Sequence, residues 1–568
     1  MADGATIVRW WLGLGLVSAG VAGIAGAACS TSPLPTASDD AGGSAPTADG
    51  SVTTTPRDAG GPSTSSDAGS PSDASSLSSD SGSGSPKDAA ATDAADAAPN
   101  PDIEAMHVRA DDALSALMLN DWASLAANTT TYDWMYAHYW DAVLDATERR
   151  GPNAFSGTAK MFFELQQKRG WLDGFYDDED WITLALLHAY KVTGDATYLT
   201  QAKTVYADIM NAWDTTCCGV HLGGMWWEKP NISKVTAINA GAVVSASRLY
   251  AATNDATYLA FGQKVFDFWS TYMVDPATGH VYDGENDDGG VNTTWSFTYN
   301  EGLFIGAVVE LARATGDNSH LPLAHTVAGY MMQKEIETLD AGTILSDGKC
   351  SGDGEMFKGI GARYLGELYA ADPTHTEYRD FLRRSADAAW TLARDTASGN
   401  ISCDWEGPYD STTGVVGSLG SAAIGIAAAA EALGAGAQRP ALLYEAEEGD
   451  LHAIGLEAKY AGFSGWGYVA GWGADGESVD LLVNVPAAGQ YTLAWRYATG
   501  DNAVRVLSVN GAITNAAMTF ASTSGYSTYA TVSSTAALAQ GANVITLAYT
   551  AAQGSAGYLN LDSLQLSP

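Results

Sequence analysis

The stretch "GFYDDEDW", residues 174–181, sets Asp177, Asp178, Glu179 and Asp180 side by side between Tyr176 and Trp181. Four neighbouring carboxylates repel one another, and an acidic turn that only faces water needs no aromatic fence. Helix capping accounts for one or two of them: Asp178 or Asp180 suits the N-cap of a helix beginning at Trp181, where the helix dipole favours acids. The adjacent pair Asp177–Asp178 is left over. Glycoside hydrolysis is the chemistry that wants two carboxylates. A retaining enzyme uses one as nucleophile and the other as acid/base, about 5–5.5 Å apart. Neighbouring Cα atoms lie about 3.8 Å apart, so diverging side chains can meet that separation. Their repulsion also raises one pKa, which keeps one acid protonated while the other ionises.

Other loops carry aromatic rings suited to stacking on sugar faces. "CCGVHLGGMWWEKP" holds Trp226 and Trp227, "NTTWSFTYNEG" holds Trp295, Tyr299, Asn300 and Glu301, and "SCDWEGPY" holds Trp405. A second acid pair, Asp287–Asp288, lies in a Gly-rich run with few aromatics and reads as an exposed loop.

These loops need a scaffold. From about residue 104 the pattern is helical, and "TGDATYL" (193–199), "TNDATYL" (253–259) and "TGDNSHL" (315–321) recur between helices. Each is a helix stop at Gly or Asn followed by an Asp or Asn cap. Repeated hairpins of this length predict a toroid, with an open solenoid as the rival; small residues on the inner helices and long acidic, aromatic loops that would gather at one end favour closure. After Pro440 the period changes. "SVDLLVNV", "QYTLAWRYA", "VRVLSVNG", "YATVSSTAAL", "NVITLAYT" and "LNLDSLQL" read as short strands of a β-sandwich. The chain is therefore expected to be multidomain: an all-α barrel over 104–438, then an all-β sandwich over 439–568.

The net charge of −38 over 568 residues excludes a nucleic-acid partner and disfavours an acidic polymer. Arg9 precedes an apolar run that ends in small residues at Cys29, which reads as a secretory signal over 1–29. Cys29 follows Gly-Ala-Ala as a lipidated cysteine would, so membrane association is expected only through a lipid anchor. The alternative is plain cleavage nearby. Residues 30–103 are Ser-, Ala- and Asp-rich, with too little apolar surface to fold, and read as a tether. The protein is expected to be exported, at a bacterial cell surface or secreted, and monomeric. Export permits disulfides among Cys217, Cys218, Cys350 and Cys403. Cys350–Cys403 is the preferred pair, although connectivity stays open.

Over roughly 155–435 the motifs "YDDEDW", "CCGVHLGGMWWE", "TWSFTYNEG" and "FKGIGARYLGEL" resemble glycoside hydrolase family 76, the endo-α-1,6-mannanases. The resemblance implies a six-hairpin (α/α) barrel and retaining hydrolysis of α-1,6-mannan without a catalytic cofactor. It makes Asp177 the nucleophile and Asp178 the acid/base. Tyr176, Trp181, Trp226, Trp227, Asn239, Trp295, Tyr299, Asn300 and Glu301 become expected substrate contacts, with Lys234 beside them. Glu301 stands where the family commonly has Gln.

The C-terminal sandwich resembles carbohydrate-binding modules of families 35 and 6, through "YEAEEGD", "FSGWGYV" and "NLDSLQL". That resemblance implies a jelly-roll-like fold, a structural calcium on Glu445, Glu447 and Asp562, and sugar contacts at Tyr526 and Asn560. Trp466 and Trp472 have no assigned role. Two other functions remain open: a hydrolase or lyase of another polysaccharide on the same barrel, and a non-catalytic sugar-binding lipoprotein. The intact aspartate pair favours an enzyme.

Overall fold

The computed structural model describes residues 100–568, apart from 130–132, 230, 232, 286–288, 349–350 and 413–414. The expectations for the leader, for lipidation at Cys29, for the tether up to residue 99, and for Asp287, Asp288 and Cys350 lie outside the described residues.

Twelve α-helices occupy the first part of the described chain. They are α1 (Pro101–Ala127), α2 (Met135–Arg150), α3 (Ser156–Arg169), α4 (Tyr176–Thr193), α5 (Ala196–Ile209) and α6 (Thr236–Thr253). Then come α7 (Ala256–Tyr272), α8 (Thr298–Thr315), α9 (Leu321–Lys334), α10 (Gly354–Ala371), α11 (Thr376–Thr391) and α12 (Val415–Leu433). The even-numbered helices pack in order, and α12 closes back on α2, so six hairpins form a ring with the odd-numbered helices outside. Helix begins at Pro101, three residues before the expected boundary.

The repeated turns work as local chemistry predicts. Gly194, Asn254 and Gly316 are left-handed stops at the ends of α4, α6 and α8. Asp195, Asp255 and Asp317 then accept from the backbone N–H groups of Thr197, Thr257 and Ser319 at 2.8, 2.9 and 2.9 Å. Small residues let the inner helices approach closely: a Cβ on Gly302 of α8 would stand 2.8 Å from the Cα of Gly361 of α10. The C-terminal ends of the inner helices form the floor of the barrel. There Arg248 pairs with Glu310 and Glu367, and Arg363 pairs with Asp145, around a cavity of about 690 Å³. That cavity lies at the end away from the acid pair of residues 177–178, which sits at the N-terminus of α4.

The sandwich has one sheet ordered Ala512–Phe520, Ala503–Val509, Gly541–Ala548, Ser478–Val485, Asp450–His452. Its facing sheet runs Gly525–Leu538, Gly489–Thr499, Asn560–Ser567, Tyr468–Ala470, Gly455–Glu457. Trp495, Leu493, Leu481, Ile545 and Leu564 fill the space between. The strand Ala512–Phe520 was not anticipated; most of its side chains are exposed, so it lacks clear alternation. The first strand, Leu443–Glu445, pairs with the last, Asn560–Ser567, with Ser563 opposite Glu445.

Barrel and sandwich are docked against one another. The Phe155 N–H donates to Glu448 Oε2 at 2.9 Å, and Lys160 bonds Asp450. Trp466 stacks on Phe155 with ring planes 9° apart, which gives that tryptophan a packing role. A Cβ on Gly157 would meet the Asp450 nitrogen at 2.3 Å, so only glycine lets α3 come this close.

Candidate active site

The acid pair does not sit in a loop ahead of a helix. It occupies the first turn of α4, which starts at Tyr176, and its N-cap Phe175 makes no side-chain cap. The expected capping role of Asp178 or Asp180 is therefore overturned. An extended Phe175 makes a bridge with Glu228, and the Tyr176 N–H donates to the Trp227 carbonyl at 2.8 Å. The neighbouring loop thus performs the alignment that a cap would otherwise supply, and the carboxylates are released for other work.

Each acid of the cluster has its own surroundings. Asp177 is buried and accepts from the Trp227 side chain and from backbone N–H groups of its own turn. Burial nevertheless dominates and pushes its carboxyl up. One of its oxygens, Oδ1, has no partner within the protein. Asp178 is pushed up further, first by burial, then by the charge of Asp177, then by a hydrogen bond with the Asp173 side chain. The pair is thus graded: Asp178 holds its proton more firmly than Asp177. Glu179 bonds Lys229 at 2.6 Å and caps the Asp173 N–H at 2.8 Å, so it secures the loop. Asp180 is buried against α6, accepts from Ser245 Oγ at 2.7 Å, and is pushed up to about 8 by burial.

Ring closure brings further residues to the pair. Asp353, at the start of α10, acts on both carboxyls through its charge and accepts from Trp134 Nε1 at 3.1 Å. Trp134 lies 6.0 Å from the Trp181 ring, and His138 lies 4.7 Å from it. Sequence reading missed Asp173, Asp353 and Trp134. They lie on three separate segments, and no spacing in the chain marks them as neighbours.

The expected substrate contacts divide. Trp226 and Trp227 are half-buried, Trp295 is 42% exposed, and Tyr299 is largely buried and donates to Asp283 at 2.7 Å. Tyr176 and Trp181 are largely buried, Tyr176 beneath the Lys229 ammonium and Trp181 among rings. Five further expectations are corrected by burial. Asn239 is enclosed and bonds both Met225 N and Met225 O, bracing the Gly-Gly-Met-Trp-Trp loop. Asn300 is enclosed and donates to Asp283 at 3.1 Å. Glu301 is enclosed and accepts from Val281 N at 2.9 Å, and its carboxyl is pushed well above the usual range by burial and by Glu335. Lys234 is buried and donates to the carbonyls of Cys217 and Gly223, while Trp405 is packed in the core. Cys217 and Cys218 are bonded to each other, and Cys403 is disulfide-bonded.

In the sandwich, Tyr526 is half-buried and stacks on Tyr460, with centroids 5.5 Å apart. Asn560 is buried and donates to the Tyr526 carbonyl at 3.3 Å, so it supports Tyr526 instead of presenting itself to a ligand. Ser464 Oγ lies 2.9 Å from Glu445 Oε2 and 2.8 Å from Asp562 Oδ2, and Arg496 bonds the same Asp562 oxygen. Glu447 Oε2 is buried without a hydrogen-bond partner.

The model of glycosyl hydrolase family 76 matches residues 119–440, more than half of the chain. The chain belongs to glycosyl hydrolase family 76. Residues 442–568 match the carbohydrate-binding module of family 35. As a family 76 protein it is a glycoside hydrolase, and its helical ring followed by a sandwich is the expected architecture.

A candidate mannan endo-1,6-alpha-mannosidase of Schizosaccharomyces pombe is 28% identical over 321 residues, covering 51% of this chain and 70% of its own. The mannan endo-1,6-alpha-mannosidase of Candida glabrata is 26% identical over 313 residues, with 51% and 60% covered. The solved α-1,6-mannanase of Salegentibacter sp. HEL1_6 superposes with a TM-score of 0.52 at 25% identity, covering 58% of this chain and 99% of that one. A variant of it with two consecutive aspartates changed to asparagine is inactive and was solved with α-1,6-mannotriose.

Proposed function

We propose that this chain is a retaining, endo-acting hydrolase of α-1,6-linked mannan, with Asp177 as nucleophile and Asp178 as acid/base. The graded pair in the first turn of α4 carries the reading. The inactive Salegentibacter variant altered at two consecutive aspartates supports it. The Asp177 carboxylate attacks the anomeric carbon while Asp178 passes its proton to the departing glycosidic oxygen. The resulting glycosyl ester is then opened by water, whose proton returns to Asp178. Asp173 and Asp353 add negative charge that keeps Asp178 protonated until that moment. Trp226, Trp227 and Trp295 supply rings for sugar faces.

In the same reading the protein is exported and held at a bacterial cell surface through Cys29, acts as a monomer, and uses its sandwich to bind polysaccharide. Glu445, Glu447 and Asp562 suit a structural calcium. The Glu445 carboxyl is pushed up by burial and by the charges of Glu448 and Asp562, the Glu447 carboxyl by burial and by the charges of Glu445 and Glu448, and the partnerless Glu447 Oε2 offers a hard oxygen ligand. Hydrolysis of linear α-1,6-mannan by the full chain, compared with Asp177→Asn and Asp178→Asn, tests the assignment. Each variant should lose about 10²–10⁴-fold or more of the turnover, and near wild-type turnover by either would overturn it.

A further inference from the structure

We propose that His325, Asp372 and His375 form a divalent transition-metal site, suited to Zn²⁺, at the floor of the barrel. The three residues come from three places. His325 is in the early part of α9, Asp372 caps the end of α10, and His375 precedes α11. His325 Nε2 lies 3.4 Å from Asp372 Oδ2, and His375 Nε2 lies 3.7 Å from the same oxygen. All three donor atoms fall within 4.8 Å of one another. Tetrahedral zinc with bonds of about 2.0–2.1 Å spaces its ligand atoms about 3.3 Å apart. The side chains already stand near that spacing.

Hydrogen bonds behind the donors aim them. His375 Nδ1 lies 2.7 Å from Glu377 Oε1. An ionised carboxylate only accepts, so Nδ1 carries the proton and, in the neutral ring, Nε2 presents its lone pair. His325 Nδ1 is held by Tyr378 Oη at 2.9 Å, which turns its Nε2 the same way. Partners on the far ring nitrogen are the support that metal-binding histidines use. The Thr374 hydroxyl and N–H donate to Asp372 Oδ1 at 2.6 and 3.2 Å, which leaves Oδ2 directed at the rings.

The His325 and His375 rings lie side by side, with centroids 4.1 Å apart. One metal ion would take both Nε2 atoms and Asp372 Oδ2, with water in the fourth position. The cluster of Glu164, Asp450 and His452 is the natural comparison, and there the Lys160 ammonium already bonds both carboxylates.

The position defines the role. The start of an outer helix and the end of an inner one lie at the floor, whereas Asp177 and Asp178 lie at the N-terminal end of the inner ring. The ion would staple α9 to the α10–α11 connection and leave catalysis untouched.

The test titrates Zn²⁺ by calorimetry into tag-free full chain, stripped by chelator and reloaded with Ca²⁺. Binding of about one equivalent, a higher melting temperature and unchanged mannan turnover are expected. His325→Ala and His375→Ala should each weaken binding at least about tenfold while melting like the wild type without zinc. His452→Ala should bind normally. Co²⁺ in place of Zn²⁺ should give visible absorption bands that both variants lose. Absence of binding at micromolar zinc, wild-type affinity in both His325→Ala and His375→Ala, or loss only in His452→Ala would overturn the proposal.

Discussion

The backbone N–H of Phe155 in the barrel donates to the carboxylate of Glu448 in the sandwich at 2.9 Å, and Arg439 holds that carboxylate with its two terminal guanidinium nitrogens. Glu448 is therefore a buried charge with partners on both sides of the junction, and the binding module is fixed to the enzyme instead of hanging from a flexible hinge. Glu448→Ala would strand the mostly buried Arg439 cation and the Phe155 N–H. It should cost about 3–5 kcal/mol, the usual cost of breaking one partner of a buried pair. Thermal unfolding should drop and separate into two transitions. An unchanged single transition would show that the junction carries no stability.

Activity should follow a bell-shaped pH profile displaced upward from ordinary carboxylate values. Below the raised pKa of Asp177 the nucleophile is protonated and silent; above the more strongly raised pKa of Asp178 the acid is lost. The measurement is kcat/KM against pH on a soluble mannan oligosaccharide.

Asp353→Asn removes a negative charge that raises both carboxyls. Both limbs of the profile should move to lower pH. A change in rate with no movement of either limb would give Asp353 a purely steric role.

Asp180 gives the barrel a pH-dependent stability. Its folded pKa is raised to about 8 from an ordinary 3.8, so between those values the folded state binds more protons than the unfolded one. Stability should fall as pH rises through that window, with a slope of up to about 1.4 kcal/mol per pH unit. Asp180→Asn should flatten that slope. Urea melts at several pH values for both proteins decide it.

The sandwich should respond to calcium. An ion held by Glu445, Glu447 and Asp562 ties the first strand to the last, so chelation should lower the melting temperature, and Glu447→Ala should mimic it. Identical melting with calcium and with excess chelator would sink the site.

Much of the fold was readable because its signals are local. A Gly or Asn stop followed by an Asp cap is written within seven residues, and strand alternation within eight. The aspartate pair was readable because no structural duty demands two adjacent acids between rings. The start of α4 was misread because a capping residue was expected, and the loop of Trp227 aligns the helix instead. Asn239, Asn300, Glu301 and Lys234 were misassigned because a polar residue near a cleft can face sugar or brace the wall behind it. Only packing separates the two. Asp173, Asp353 and Trp134 meet at the site because the ring closes, which no stretch of sequence records.

The central claim is that Asp177 and Asp178 act as nucleophile and acid/base in a double displacement. The most direct measurement is proton NMR of the product first released from linear α-1,6-mannan, read before mutarotation. The mechanism requires the α-anomer, with Asp177→Asn inert until azide is added and then yielding the β-glycosyl azide. Initial release of the β-anomer by the wild-type enzyme would mean a single inversion and would contradict the roles given to both residues.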